Sequence, residues 1–394
     1  MRSSVLFQND SKTVVLLDLP RSIEEAQVPS SSLENDLKST AAVKLRKLVS
    51  GQPQASPFST PEPKKNPYGS LGQSQSAASS PSAQVAELMM LAACEAALEE
   101  IIQSYNGLWC LSRCHSRGGG GGDGHSQEEQ EEHGTTVGRD SSDPVPPETT
   151  NDRSKNPVEY IIPEESHYLL GSIESQRPNF LSQATPPKFD LMILDPPWPN
   201  RSAKRKRCGG GGSYQSLTDL ESLRQLLSLI PVASRLSANG LVAVWVTNSP
   251  RSADLLTSPR GFFDEWQVEL VGEWTWLKVT SGGEPIVDLH SAWRKPWERL
   301  LIAKKRGGKP LPADKGWPNG LQRKVIVTVP DVHSRKPNLR GLFDEILAPG
   351  YQALEVFARN LTAGWWCWGD QVLLFQHRDH WVEVDTDTTG GESR

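Results

Sequence analysis

Short apolar runs alternate with amphipathic segments along the second half of the chain. Leucines recur at helical spacing over residues 217–236, where Ser216 and Asp219 resemble a capping pair and Asn239-Gly240 is a stop signal. Buried strands separated by helices predict an α/β fold with a mostly parallel sheet covered on both faces, which binds ligands at the carboxyl ends of its strands. The apolar runs predict strands at residues 189–194, 241–246, 268–279, 299–304, 325–329, 353–358 and 372–376, with a further helix at residues 339–347.

The first 156 residues carry a weaker pattern. Two apolar runs within residues 1–20 predict a hairpin, which needs a docking surface because an isolated hairpin is marginally stable in water. Residues 30–82 are rich in Ser, Pro and Gln and predict a linker, interrupted by a short basic helix at residues 41–48. Residues 83–105 predict a long helix that packs on the folded domain through Val85, Leu88, Met89, Ala92, Ala96 and Ile101.

These patterns divide the chain into four parts. We predict a weakly ordered N-terminal region over residues 1–115 and a disordered linker over residues 116–156, which are Gly-rich, then acidic, then Pro- and Thr-rich. A folded domain is predicted over residues 157–378, followed by a C-terminal tail over residues 379–394. Of the 13 tryptophans, only Trp109 precedes position 198, which places the aromatic core in the third part.

Composition excludes several classes of protein. The formal net charge of −5 excludes binding to nucleic acid by bulk charge, but it leaves room for a local basic groove. No apolar run reaches 18 residues and no signal-peptide pattern is seen, so we expect neither a membrane span nor secretion. Five cysteines without framework spacing indicate free thiols. The loosely spaced set Cys110, Cys114, His115 and His125 is not typical of structural zinc, and no metal is predicted.

One strand end carries a distinctive group of side chains. The strand at residues 189–194 runs directly into Asp195-Pro196-Pro197-Trp198. The exocyclic amine of adenine is a poor nucleophile because its lone pair is delocalised, and a carboxylate with a backbone carbonyl can accept its two N–H groups and free that lone pair. The two prolines fix φ at about −65° and lack backbone N–H donors, so we expect carbonyls without a local hydrogen-bond partner. A base can stack on the Trp198 indole.

This tetrapeptide resembles the signature of the MT-A70 family of adenine N6-methyltransferases, which transfer a methyl group from S-adenosylmethionine (SAM) to adenine in RNA or DNA. Pro199-Asn200-Arg201-Ser202, followed by a basic stretch and Tyr214, is similar to the methyltransferase-like four subfamily. The resemblance covers residues 157–378. It implies a Rossmann-like sheet with permuted motif order, in which no early Gly-x-Gly loop is expected.

The resemblance also implies roles for individual residues. Lys336, in Ser334-Arg335-Lys336-Pro337, matches the lysine that holds the methionine carboxylate of SAM, a task that suits a compact ammonium. Residues 353–360 resemble the strand and loop that carry the cofactor ribose. Trp366, Gly369, Asp370 and Gln371 resemble a further cofactor element, in which Asp370 replaces a common asparagine and can accept but not donate hydrogen bonds.

The implied sites are therefore three. The catalytic set is Asp195, Pro196, Pro197 and Trp198, and the cofactor-binding set is Asp195, Lys336, Arg359, Asn360, Asp370 and Gln371. The substrate-binding set is Tyr214, Trp297, Glu298, Lys204, Arg205, Lys206 and Arg207, in which Trp297 stands in place of a more usual tyrosine in a segment that shapes the target-adenine pocket.

The basic stretch at residues 201–207 has three interpretations. It lies between the catalytic turn and Tyr214, where it could contact phosphates of a nucleic acid strand. It also fits a nuclear-import signal, or simply a solvated charged loop. The four glycines that follow are not a phosphate loop, because no Lys-Ser/Thr pair follows them. Basic residues also mix with Trp274, Trp276, Trp293 and Trp317, a pattern that suits single-stranded nucleic acid, although core packing is the commoner role of tryptophan.

The expected function is thus SAM-dependent methylation of adenine N6 in RNA, in particular an internal 2′-O-methyladenosine of a small nuclear RNA. DNA adenine is the alternative within the class, because RNA and DNA present the same amine. In either polymer, reaching N6 requires an unstacked base. A noncatalytic RNA-binding partner of the same fold is the alternative outside it, and the complete Asp195 motif with Lys336 favours the active enzyme. We expect a nuclear protein, present also in the cytoplasm, and a monomer, and leave open whether a protein partner is needed.

Overall fold

The computed structural model describes residues 3–29, 46–59, 81–115, 159–182, 187–199, 219–291, 294–308, 321 and 323–383. Its strands are β1 Val5–Gln8, β2 Val14–Leu17, β3 Arg46–Leu48, β4 His167–Leu170, β5 Phe189–Leu194, β6 Leu236–Val246, β7 Val268–Lys278, β8 Trp297–Lys305, β9 Lys324–Thr328, β10 Ala353–Val356, β11 Trp366–Gly369 and β12 Trp381–Glu383. Its helices are α1 Leu19–Glu25, α2 Pro81–Ser104, α3 Ile173–Leu181, α4 Leu220–Ser228, α5 Val232–Arg235, α6 Pro250–Thr257, α7 Phe262–Glu265 and α8 Arg340–Asp344, with a 3₁₀ turn at Arg378–His380.

A ten-stranded sheet organises the described residues. The strand order is β1-β2-β9-β7-β8-β6-β5-β10-β11-β4. The pairings β1–β2, β7–β8 and β8–β6 are antiparallel, and the other pairings are parallel. The mostly parallel α/β sheet of Rossmann-like type is therefore confirmed. None of the helices in the described part of the chain is both long and apolar enough to cross a bilayer.

The sheet buries both of its faces. Successive residues of a strand point to opposite sides, so Met192 and Leu194 of β5 join one core cluster while Leu191 and Ile193 join another. Helices α4, α6 and α7 contribute buried residues to the first cluster, and α1 and α8 contribute to the second. Continuous apolar runs such as 189–194 are thus explained by burial on two faces.

The N-terminal hairpin forms and finds its docking surface on β9. In its turn, Asn9 Oδ1 accepts hydrogen bonds from the backbone N–H groups of Thr13 at 2.9 Å and Val14 at 3.1 Å. Strand β2 then pairs in parallel with β9, from Val14 opposite Val325 onward. The first strands of the chain therefore belong to the same sheet as the predicted catalytic segment.

Several predicted elements are wrong in extent or type. The helix predicted at 217–236 ends at Ser228, because Pro231 interrupts the pattern, and Asn239-Gly240 lies inside β6 instead of ending a helix. Residues 372–376 form turns rather than a strand, and the buried Gln376 side chain accepts a hydrogen bond from Leu361 N at 3.2 Å. The helix predicted at 339–347 spans only Arg340–Asp344.

The two chain regions expected to be outside the fold contribute a further sheet. Of the basic helix predicted at 41–48, residues 46–48 are instead strand β3, whose Leu48 is buried. This strand pairs antiparallel with β12, which lies within the predicted tail 379–394. The predicted linker 116–156 lies outside the described residues.

Candidate active site

Three parallel strands bring the predicted motifs to one edge of the sheet. Leu194 of β5 is opposite Val356 of β10, which is opposite Trp368 of β11. Each strand ends within one residue of this level, so the segments that follow them meet. These segments begin with Asp195, with Phe357 and with Asp370, and they carry the predicted residues Asp195, Arg359, Asn360, Asp370 and Gln371.

Acidic and basic side chains alternate through this edge. Lys336 Nζ lies 3.0 Å from Oδ1 and 2.9 Å from Oδ2 of Asp195, and 3.3 Å from Oε2 of Glu298. On one side, Arg359 lies 3.6 Å from Asp195 Oδ2. On the other, Lys278 Nζ lies 2.5 Å from Glu298 Oε1. The order Arg359–Asp195–Lys336–Glu298–Lys278 is a chain of opposite charges that we call the charge chain.

The charge chain shifts the pKa values of two of its members, Glu298 and Lys336. Burial opposes ionisation of Glu298, but Lys336 and Lys278 outweigh burial and lower its pKa to about 2. Burial likewise acts to lower the pKa of Lys336, yet Asp195 and Glu298 hold it above the usual lysine value. Glu298 is therefore a carboxylate, and Lys336 an ammonium, across the physiological range.

The Asp195-Pro196-Pro197-Trp198 turn is held in a defined shape. The Trp198 indole Nε1 donates to Trp245 O at 2.7 Å, which fixes the ring against the end of β6. The expectation that the proline carbonyls lack a local partner is wrong, because Trp198 N donates to Pro196 O at 2.8 Å. A carbonyl oxygen has two lone pairs, so Pro196 O can accept a second hydrogen bond from a ligand.

The loop that carries Lys336 is held in place by contacts of the two preceding residues, Ser334 and Arg335. The buried Arg335 pairs with Asp331, donates to Val49 O at 3.0 Å and stacks over the Phe375 ring at 4.3 Å. Ser334 has a φ of 66°, in the left-handed region, and its carbonyl accepts from Arg359 Nη1 at 3.1 Å. These contacts fix where Lys336 enters the site.

The cofactor candidates form a polar wall beside Lys336. Arg359 Nε donates to Gln371 Oε1 at 3.1 Å, which links the ends of β10 and β11. Asn360 and Glu355 line a small cleft together with Lys336 and Asn338. Burial, reinforced by Asp195, raises the pKa of Glu355 to about 8.

This donor set fits SAM, because cations suit its carboxylate and acids suit its ammonium and ribose hydroxyls. Lys336 and Arg359 provide the cations and Asp195 provides the carboxylate, while Glu355, which keeps its proton up to about pH 8, can hydrogen-bond a hydroxyl.

The target-pocket candidates separate in the structure. Glu298 faces the site, as its contacts with Lys278 and Lys336 show. The Trp297 ring instead lies in the core and is 2% exposed, while its carbonyl accepts from Asn248 Nδ2 at 2.5 Å. Neighbouring residues of a strand point to opposite faces, which explains the difference.

Segments from the N-terminal region hold the connection between β7 and β8 (residues 279–296, the β7–β8 connection). Ser281 N donates to Gln54 O and Phe58 N donates to Ile286 O, both at 2.8 Å. Glu87 of α2 forms an ion pair with Lys295 at 2.7 Å, and Glu95 of α2 lies 3.1 Å from His290 Nε2. The Trp109 ring packs so closely on Gly283 that an added Cβ would lie 2.3 Å from it. The N-terminal region thus supports the connection that leads into Glu298.

The other predicted residues lie either outside the described residues or in the core. Tyr214 and the basic residues Lys204, Arg205, Lys206 and Arg207 lie outside the described residues, as do Trp293 and Trp317. Trp274 and Trp276 are core residues, 1% and 3% exposed, and the hypothesis that their side chains offer an open stacking surface is wrong.

Sequence reasoning missed Lys278, Glu355 and Arg335. Lys278 is the last residue of β7 and the second-last residue of the strand predicted at 268–279, so a search of strand ends would have found it. Glu355 is a lone acid within an apolar strand, which is a recognisable signal of a functional group. No signal in the sequence marks Arg335 as an anchor, since two of its partners, Val49 and Phe375, lie far away in the chain.

Comparison with known proteins agrees with this geometry. The MT-A70 family model matches residues 189–371. The chain is 44% identical over 96% of its length to "N6-methyladenosine RNA methyltransferase MTA1" of Cryphonectria parasitica, of which 94% is covered. It is 36% identical over 58% of its length to the mouse "N(6)-adenine-specific methyltransferase METTL4", of which 46% is covered. It is 30% identical over 56% of its length to a Caenorhabditis elegans "DNA N6-methyl methyltransferase", of which 54% is covered.

Proposed function

This chain belongs to the MT-A70 family and is an adenine N6-methyltransferase, and on that premise we propose that it transfers the methyl group of SAM to adenine in RNA. The observation that carries the proposal is the charge chain, which places two carboxylates, Asp195 and Glu298, on one ammonium at the ligand edge of the sheet. The similarity to the fungal RNA methyltransferase, which extends over nearly the whole of both chains, supports RNA as the polymer.

The proposed chemistry needs orientation of the amine rather than a strong base. SAM supplies a methyl group on a sulfonium, which makes it a good electrophile without a metal. Asp195 and the Pro196 carbonyl would accept the two N–H groups of adenine N6 and so free the nitrogen lone pair for the methyl carbon. The N–C bond would form as the S–C bond of the sulfonium breaks, with S-adenosylhomocysteine as the leaving group and one N6 proton released to solvent. The fixed indole of Trp198 lies beside them and supports the base.

The proposed cofactor contacts come from the polar wall. Lys336 binds the carboxylate end, and Arg359, Asn360, Asp370 and Gln371 hold the nucleoside end. Glu298 contacts the target adenine. We propose that Tyr214 and the basic residues Lys204, Arg205, Lys206 and Arg207 contact the RNA strand, as their position between the Asp195 motif and α4 in the sequence suggests.

The finer substrate assignment is an internal 2′-O-methyladenosine of a small nuclear RNA, supported by the methyltransferase-like four resemblance of residues 199–214. A nuclear location, with a cytoplasmic fraction, follows from that substrate and from the import-like basic stretch. We further propose that the chain acts as a monomer. DNA adenine is the second candidate substrate, favoured by the similarity to the nematode DNA enzyme.

Transfer of labelled methyl from SAM, assayed side by side on matched RNA, 2′-O-methylated RNA and single-stranded DNA, tests the proposal. We expect RNA to be methylated, and fastest when it is 2′-O-methylated. Asp195→Ala is expected to lose turnover by about 100-fold or more while SAM binding is largely kept. Undiminished turnover by this variant contradicts the role of Asp195, and preferential methylation of the DNA selects the second candidate. Absence of transfer to all three substrates leaves the noncatalytic RNA-binding alternative.

A further inference from the structure

Phe58 is a large apolar side chain that folding leaves in water. It is 49% exposed, whereas seven of the nine phenylalanines are buried and Phe7 packs against Tyr105 with ring centroids 5.9 Å apart. Within the described residues, Phe58 joins none of the core clusters. Single exposed apolar residues are common, so the location of Phe58 has to indicate what it contacts.

The location of Phe58 follows from the end of β7. Strands β7 and β6 are both antiparallel to β8, and β6 is parallel to β5, so β7 ends at the same edge of the sheet as β5 and the Asp195 motif. The last residue of β7, Lys278, contacts Glu298 Oε1 in the charge chain at 2.5 Å. The β7–β8 connection therefore leaves the sheet at its ligand edge.

Two backbone hydrogen bonds lead from Lys278 to Phe58. Ile286 N donates to Lys278 O at 3.1 Å, and Phe58 N donates to Ile286 O at 2.8 Å. Hydrogen-bonded extended segments lie about 4.8 Å apart, so the backbones of Lys278 and Phe58 are about 10 Å apart. Bases of a stacked strand are about 3.4 Å apart, so this distance corresponds to about three nucleotides. An RNA strand with its target adenine at the charge chain can thus reach Phe58 within a few nucleotides.

The segment that carries the exposed ring, residues 49–58 (the strap), is held along its length. Gly51 N donates to Asp331 Oδ1 at 2.7 Å in the loop that precedes Lys336. Further along, Gln54 O accepts from Ser281 N at 2.8 Å in the β7–β8 connection. The ring therefore projects from a fixed backbone, and a ligand that packs on it has little ordering of the chain to offset.

The charges around Phe58 favour a base over a phosphate group. Glu284 and Asp288 lie on either side of Ile286 in the β7–β8 connection, and both are exposed. Carboxylates repel phosphates, so this position does not attract the RNA backbone. A phenyl ring stacks with any of the bases without needing charge. The surroundings are therefore suited to a nucleobase.

We infer that Phe58 is a stacking platform for an unpaired base of the RNA, a few nucleotides from the target adenine. The inference rests on the proposed function and adds a substrate-binding residue to its site. Reaching adenine N6 requires an unstacked base, so the nucleotides beside the target lose stacking partners when it enters the site. Phe58 replaces one of these partners, as aromatic side chains do for splayed single-stranded RNA.

The affinity of a single-stranded RNA with one adenine, measured by fluorescence anisotropy with S-adenosylhomocysteine present, tests the inference. Phe58→Ala is expected to bind about ten-fold more weakly than the wild type, because it loses the stacked base. The dependence of its affinity on salt should match that of the wild type, because no phosphate contact is lost. Phe58→Trp restores a flat aromatic face and should bind within about two-fold of the wild type. Thermal unfolding should be the same in all three chains, since the ring joins no core cluster.

Single abasic residues, placed in turn at the positions on either side of the target adenine, identify the stacked base. At one position the abasic RNA should bind the wild type about as weakly as the intact RNA binds Phe58→Ala. Combining that RNA with the variant should cause little further loss, because both changes remove the same contact. At the other positions the two losses should add.

Tyr168→Ala is the matched control. Tyr168 is another exposed aromatic residue, 41% exposed, but it lies on β4 at one end of the strand order, so its loss should leave RNA affinity unchanged. Wild-type affinity of Phe58→Ala, or losses that add at every abasic position, overturns the inference while the proposed function stands. A wild-type chain that neither binds nor methylates RNA overturns the proposed function, and the inference with it.

Discussion

The sequence motifs identify side chains at the ligand edge of the sheet but not the partners with which those side chains pair. Asp195 was predicted as an acceptor for adenine, and the structure adds that it is paired with Lys336 and Arg359. The motif residues were predictable because each follows an apolar strand, and parallel strands share an edge. The ion pairs were not predictable, because Lys278, Glu298 and Lys336 come from separate segments that only the folded sheet brings together.

Glu355 provides a stability test at the same scale. Its folded-state pKa of about 8 lies above the usual 4.5, so the folded chain keeps a proton that the unfolded chain releases. Stability is therefore lost as pH rises from about 4.5 to about 8. Glu355→Gln removes this pH-dependent loss of stability. As pH rises through that window, the free energy of unfolding of the variant should therefore increase relative to that of the wild type, as measured by urea denaturation at several pH values. An advantage independent of pH would contradict the assigned burial of the acid.

Elements show where pattern reasoning succeeds and fails. The position of α2 was predicted closely, but its buried face only in part. Ile101 is buried as predicted, whereas Val85, Leu88 and Met89 are 55%, 64% and 50% exposed and Cys94 and Ala97 are buried instead. An Ala-rich helix is apolar on several faces, so spacing alone does not choose one. The helix predicted at 217–236 is too long for another reason. Apolar residues continue to recur from α4 into β6, so the change from the helical repeat to the strand repeat is not visible in the sequence.

The support of the β7–β8 connection gives an element-scale prediction. Gly283 has a φ of +88°, and a methyl group there would meet the Trp109 ring. Gly283→Ala is expected to loosen the connection, with faster amide hydrogen exchange over residues 280–291 and a KM for RNA raised about three-fold or more. The control is Gly350→Ala, which has a similar φ of +77° but open space around an added Cβ. Equal effects of both variants would assign the result to backbone strain and contradict the role of Trp109.

On the scale of the whole molecule, the segment that matches the MT-A70 family model does not contain all strands of the sheet. Residues 189–371 contain neither the β1–β2 hairpin, which pairs with β9, nor β4, which pairs with β11. The sequence predicted that a hairpin needs a surface but did not identify β9, because pairing between distant segments leaves no local signal. Leu16 and Leu17 of β2 are buried in the folded chain, and each contributes about 1.5–3 kcal/mol.

A fragment of residues 189–371 is therefore expected to lack a cooperative thermal transition in circular dichroism, whereas the full chain has one. Supplying residues 1–115 and 159–383 as two co-expressed chains should recover the transition, because together they contain all described strands. A cooperative transition in the short fragment alone would show that the hairpin and β4 are dispensable for folding.

The pairing of β2 with β9 also has a consequence for synthesis on the ribosome. The hairpin is synthesised long before its neighbour in the sheet, since Val14 of β2 pairs with Val325 of β9, and β3 is likewise separated from its partner β12 by most of the described chain. The nascent chain must carry an apolar hairpin without its partner until β9 is made, a period in which exposed strand edges favour aggregation. Because of this strand order, we expect the nascent chain to depend on chaperones during translation.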